Sequence, residues 1–139
     1  PFVVDVFGDA LRDVMGSGVD LVFCNKDEAL AFTGSADLDS AIEKLQLITK
    51  SFAITDGAKG SITFDGESVT RSEGVSAKAI DTNGAGDMFA GAFLFAITSG
   101  RGYDWAASLA NDCASRVVAK FGPRLDLEDF DTIKAKFGL

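Results

Sequence analysis

Apolar and polar positions along this chain alternate with two different periods. Over residues 6–15, Phe7, Leu11, Val14 and Met15 fall on one helical face, and Gly16 and Gly18 end the helix. The short apolar run at residues 19–24 then predicts a strand buried on both faces. Residues 26–32 predict a helix stopped at Thr33-Gly34, and residues 37–48 a second one, with Leu38, Ile42, Leu45 and Ile48 at helical spacing. Phe52-Ala53-Ile54-Thr55 predicts another buried strand. The period then shortens. Ile62 and Phe64 alternate with polar residues, Asp65-Gly66 marks a tight turn, and Val69 returns, so residues 60–71 predict a hairpin. A short strand over 77–80 and helices over 87–98, 103–120 and 127–137 complete the pattern. Strands alternating with helices, and a hairpin inserted among them, predict a layered α/β domain with a mostly parallel sheet. Three or so buried strands are few for that many helices, as in a portion of a larger domain.

Composition narrows the chemistry. Hydrophobic residues make up 47% and charged residues 24% of 139, the balance of a chain that folds around a core. A net charge of -8 argues against nucleic acid as a partner, since that affinity comes from neutralising phosphates. Histidine is absent, which removes Ser-His-Asp and Cys-His catalysis and any His-ligated zinc. The two cysteines, Cys24 and Cys113, are too few and too far apart for a cluster, and fit buried thiols in a reducing cytoplasm. The opening Pro1-Phe2-Val3-Val4-Asp5 has no basic region or cleavage site, so it is not a signal peptide and suggests a cut through an existing domain. The longest uncharged stretch, residues 88–100, is far short of the roughly 20 apolar residues of a membrane span. No membrane partner is expected, and a cytoplasmic location is.

The sharpest chemical feature is Asp81-Thr82-Asn83-Gly84-Ala85-Gly86-Asp87, leading into a helix apolar around its whole circumference. Such a helix should be buried, and an acid in its first turn is costly unless used or paired. Small residues at 84–86 let backbone N–H groups converge at a positive helix terminus, which suits an anion. A carboxylate beside that anion is the arrangement for phosphoryl transfer to an alcohol: N–H groups hold the transferring oxygens while Asp87 takes the hydroxyl proton. A capping role for Asp87 remains open on spacing alone. No Walker A loop occurs, and the dinucleotide fingerprint fails because Phe89 stands where its third glycine belongs.

These residues resemble a known signature. D-T-N-G-A-G-D is similar to the C-terminal motif of the ribokinase-like (PfkB) family of carbohydrate and nucleoside kinases. The resemblance implies Asp87 as catalytic base and Gly84, Ala85 and Gly86 as the anion hole. Asn25-Lys26-Asp27-Glu28 resembles the family's N-x-x-E element, implying that Asn25 and Glu28 organise Mg²⁺ through water; the same residues also make a capping box. Both follow a strand, at the end where open α/β sheets bind ligands. Thr55, Gly57 and Gly60 resemble the family's T-x-G-x-x-G nucleotide turn, otherwise an ordinary strand-ending turn. Asn83 is implied beside the nucleotide, and Asn111 at an adenine-contacting position, where a solvated helix Asn is the alternative. Asp81 and Asn83, with carbonyls near Val117, Lys120 and Gly122, are implied to hold a monovalent cation such as K⁺.

Taken together, residues 1–139 resemble the C-terminal, ATP-binding part of a ribokinase-like three-layer α/β/α domain, closest to bacterial adenosine-kinase-like members. The implied activity is ATP-dependent phosphorylation of a primary hydroxyl on a nucleoside or sugar. The alternatives are a sugar kinase of the ribokinase or fructokinase type, or a nucleotide-binding or assembly module without turnover. The family's acceptor-binding half and most of its lid have no counterpart here. The chain alone is therefore expected to be inactive, with that N-terminal half or a second chain, as in a homodimer, as partner.

Overall fold

The computed structural model describes residues 2–16 and 18–139, and the chain divides into two compact units. The first runs up to Asp56 and includes Ile62–Thr70; the second comprises Gly57–Ser61 and Arg71–Leu139.

In the first unit, helix α1 (Phe2–Met15) departs from helical geometry at Phe7 (φ -121°, ψ 17°). Its buried face is narrower than its apolar stripe: Leu11 and Met15 meet the core, while Phe7 and Val14 are exposed. Strand β1 (Val22–Asn25) is shorter than the apolar run predicts, because Val19 makes only an isolated bridge to Thr49. Helices α2 (Lys26–Thr33) and α3 (Leu38–Gln46) cross over to strand β2 (Phe52–Thr55), which pairs with β1 in parallel. Phe32, Ile42, Leu45, Phe52, Ile54 and Phe64 form most of the core. The Phe52 and Phe64 rings lie 5.4 Å apart, and each buried ring contributes about 1.5–3 kcal/mol.

The predicted hairpin is strand β3 (Gly60–Phe64) followed by strand β4 (Val69–Glu73). Asp65 builds its turn, accepting the Glu67 and Ser68 N–H groups at 2.9 and 2.8 Å on one carboxylate oxygen. The sheet has four strands in the order β1-β2-β3-β4. Here the expectation of a mostly parallel sheet is overturned. Only β1 and β2 are joined by a helical crossover; residues 56–59 join β2 to β3, and residues 65–68 join β3 to β4. Parallel neighbours need a connection of a dozen or more residues, so both short links make antiparallel pairs. The sheet is mixed and mostly antiparallel, and the hairpin is half of it rather than an insertion.

The second unit holds helices α4 (Ala85–Thr98), α5 (Tyr103–Val118) and α6 (Leu127–Phe137). Residues 77–80, expected as a strand, have no regular structure. The Ile80 and Asp81 amides both donate to the Val118 carbonyl, at 2.7 and 3.2 Å, which anchors the segment without making a ladder. Nor is α4 buried all round. Phe89, Phe93 and Ala96 are buried, where α4 packs on the small residues of α5, but Leu94 and Phe95 are 42% and 51% exposed. Uniform apolarity permits burial on every side but supplies a neighbour on none.

Charges fix the end of α5 to α6. Asp112, with 2% of its side chain exposed, accepts from Arg116 at 2.8 Å and from Lys136 at 2.5 Å. Arg116 also faces Asp129 at 3.6 Å, and Lys120 bridges Asp126 and Asp129. Burial raises the Asp112 pKa, yet the two cations outweigh it and leave the carboxyl below its ordinary range.

Candidate active site

Asp81 organises the turn ahead of α4. Its Oδ1 accepts the Asn83 N–H at 3.0 Å and its Oδ2 accepts the Gly122 N–H at 3.1 Å. These two backbone donors lower its pKa. The turn is thereby tied to the loop after α5, bringing Asp81 and Asn83 beside the segment with Val117, Lys120 and Gly122. The Val117 carbonyl already accepts the Lys120 N–H at 3.1 Å. An oxygen site for a monovalent cation would share both Asp81 oxygens with these bonds, which their remaining lone pairs allow.

Gly84 is the N-cap of α4 in left-handed conformation (φ 78°, ψ -1°), and no side chain caps the helix. A Cβ on residue 84 would lie 2.3 Å from the Pro123 Cβ, so both conformation and packing require glycine. The helix ladder starts with Met88 N–H donating to the Gly84 carbonyl at 2.9 Å, while the Ala85 N–H turns back to Thr82 at 3.4 Å. The Gly86 and Asp87 N–H groups belong to the first turn, where no helical acceptor exists. Asp87 sits in the same turn and is exposed. The burial penalty argued from its apolar helix does not arise, because this end of α4 is open. Beyond Asp87, an apolar cavity of about 540 Å³ runs along Met88, Gly91 and Phe95 toward Leu109, Cys113 and Ile133.

Asn25 and Glu28 lie in the first unit and form a capping box on α2. The Glu28 N–H donates to Asn25 Oδ1, and the Asn25 N–H to Glu28 Oε2, both at 2.9 Å. Register places Thr55 directly beside Asn25, so the two motifs share one end of β1 and β2. Next to them, Lys26 faces Asp56 at 3.9 Å. Glu28 Oε1 remains for a hard cation. One carboxylate oxygen with an amide oxygen suits Mg²⁺ that keeps its waters, rather than an all-protein cage. Gly57 (φ 54°) opens a short 3₁₀ turn, Gly57–Lys59, and Gly60 (φ 99°) passes so near β4 that a Cβ would lie 2.1 Å from the Ser72 carbonyl.

Asn111 is buried rather than solvated. Its amide donates to Ser61 Oγ at 3.1 Å and to the Glu73 carbonyl at 3.3 Å, tying α5 to the start of β3 and the end of β4. Sequence reasoning missed this tie, whose partners are distant in the chain and carry no motif. It also missed the contact between Pro123 and Gly84. The Asp112–Arg116 pair had a signal, an acid and a base at helical spacing.

The model of the pfkB family carbohydrate kinases matches residues 1–129. The chain belongs to that family. This PfkB chain is 30% identical over 118 residues to the ribokinase of Lactococcus lactis, covering 85% of itself and 38% of the relative. It is 36% identical over 118 residues to the cytidine kinase of Thermococcus kodakarensis, covering 82% of itself and 42% of the relative. The crystal structure of adenosine kinase from Sinorhizobium meliloti superposes with a TM-score of 0.91 at 35% identity, over 97% of this chain and 42% of that one. The PfkB chain thus spans about two fifths of the length of these relatives. Sugar and nucleoside kinases match it comparably, so no acceptor class dominates. Among the described residues, no helix is long and apolar enough to cross a membrane.

Proposed function

We propose that this chain carries the ATP-binding, base-bearing part of a kinase that phosphorylates a primary hydroxyl, with a nucleoside of the adenosine type as the favoured acceptor. The observation that carries the reading is the left-handed Gly84 turn at the start of α4, which no side chain caps, with the exposed Asp87 carboxylate in the same turn. The N–H groups of Gly86 and Asp87 stabilise charge on the γ-phosphoryl oxygens as it transfers. Asp87 accepts the hydroxyl proton, the alcohol oxygen bonds to γ-phosphorus, and the bond to ADP breaks. Glu28 and Asn25 would hold the waters of Mg²⁺, which would supply charge neutralisation at the phosphates, and Thr55, Gly57 and Gly60 would face those phosphates. Asp81, which ties the turn to Gly122, and Asn83 would hold a monovalent cation such as K⁺, which would supply further positive charge beside the turn. For Asn111, the direct bonds to Ser61 and Glu73 favour support of the nucleotide turn over contact with adenine.

The preference for a nucleoside rests on Asn83, residues 23–29 and Phe121-Gly122-Pro123-Arg124, which resemble adenosine-kinase-like members. The acceptor side and lid belong to the further length that the relatives carry, supplied by the rest of the polypeptide or by a partner chain. A coupled assay with MgATP, setting nucleosides against free sugars, tests the acceptor. In an active preparation, Asp87→Asn should lower kcat by at least ~10²-fold and leave nucleotide affinity within about 3-fold, because the backbone donors remain. Turnover close to that of the unaltered protein would remove Asp87 as base. Nucleotide binding with no turnover on any acceptor would favour a binding module.

A further inference from the structure

Two segments distant in sequence run side by side at the start of α4. The Val118 carbonyl accepts the Ile80 and Asp81 amides, and the Gly122 amide donates to Asp81. One residue on, Pro123 fills the space above the Gly84 Cα, with its Cβ 2.3 Å from where a residue-84 Cβ would lie. The far side of this loop is held by Lys120, whose ammonium bridges Asp126 and Asp129 at the start of α6. Gly84 therefore keeps φ 78° against the Pro123 Cβ, in a loop anchored on both sides.

We propose that Pro123 is a positioning residue for the Gly84–Ala85–Gly86 turn: it fixes the direction of the N–H groups at the start of α4 and touches no substrate itself. Its functional consequence rests on the phosphoryl-transfer reading above. A rigid loop removes the ordering cost that a flexible glycine turn would charge to phosphate binding. Removing the Cβ that faces Gly84 should thus weaken nucleotide binding without removing any group that contacts the nucleotide.

The test compares the unaltered chain with Pro123→Gly and with Pro123→Ala, which keeps the Cβ that faces Gly84. Amide exchange and ¹⁵N shifts of Gly84, Gly86 and Asp87 are measured without ligand. Affinity for the magnesium complex of a non-hydrolysable ATP analogue is measured by calorimetry. In Pro123→Gly those amides should exchange about 10-fold faster, and affinity should fall by about 5–20-fold. Pro123→Ala should stay within about 2-fold on both readouts. If Pro123→Gly fails to fold, Lys120→Met loosens the same loop from its anchored side and should move the same amides. Unchanged amides in the folded variant, an alanine variant as perturbed as the glycine one, or shifted amides with undiminished affinity would each overturn the proposal. If the unaltered chain binds no nucleotide while the amides respond as stated, the phosphoryl-transfer reading fails and the structural role of Pro123 stands.

Discussion

Gly60 and Gly86 are both glycines of a candidate phosphate turn, but the folded chain requires only the first. At Gly60 a side chain would enter the backbone of β4, and φ is 99°. Gly60→Ala should cost roughly 2–4 kcal/mol, read as a lower denaturation midpoint at unchanged slope. At Gly86 nothing lies within 4 Å of where a Cβ would point, and the residue sits in the first turn of α4. Gly86→Ala should leave stability unchanged or raise it by up to about 1 kcal/mol. If phosphate approaches that backbone, the same substitution should weaken nucleotide binding, so stability and affinity would move in opposite directions. Both glycines could be picked out from the sequence by their motifs. What distinguishes them could not, because the partner of Gly60 is a strand that lies beyond the hairpin turn.

Among the elements, α2 opens on a capping box whose proposed second role is to organise Mg²⁺. Its capping box uses one Glu28 oxygen and leaves the other. Gln also completes a capping box, so Glu28→Gln should hold the melting temperature nearly constant. It should raise the Mg²⁺ concentration needed for half-maximal rate; lower stability with unchanged Mg²⁺ dependence would confine Glu28 to the cap. The α5–α6 cluster makes a pH prediction. Asp112 has a lowered pKa in the folded protein, so its stabilisation is present above the unfolded carboxyl pKa of about 3.9 and is lost as pH falls through the folded value. Asp112→Asn should cost about 2–3 kcal/mol at pH 7, and the gap to the unaltered protein should close in acid titrations of unfolding. The α2 box was legible because its residues are three apart. In α4, composition showed an apolar helix but not which side would meet α5.

For the whole molecule, strand–helix alternation was legible and strand direction was not. A βαβ unit and a hairpin look alike until the lengths between strands are known, and the short 3₁₀ turn at Gly57–Lys59 is what reverses the chain after β2. The family could be recognised from seven contiguous residues, in which the catalytic turn is a proposal; Pro123, which packs against that turn, comes from far along the chain. Each compact unit carries a single cysteine, Cys24 in the first and Cys113 in the second. Burial, with the Glu28 charge nearby, pushes the Cys24 thiol up to about 12; burial, with Asp112 nearby, pushes Cys113 up to about 11. At pH 8 neither should react with iodoacetamide while folded, whereas an unfolded thiol near pKa 8.5 would react readily. Labelling read by mass spectrometry should therefore time the opening of each unit separately. Equal rates at the two cysteines would mean that the protein opens as one cooperative body, and unequal rates would identify the unit that gives way first.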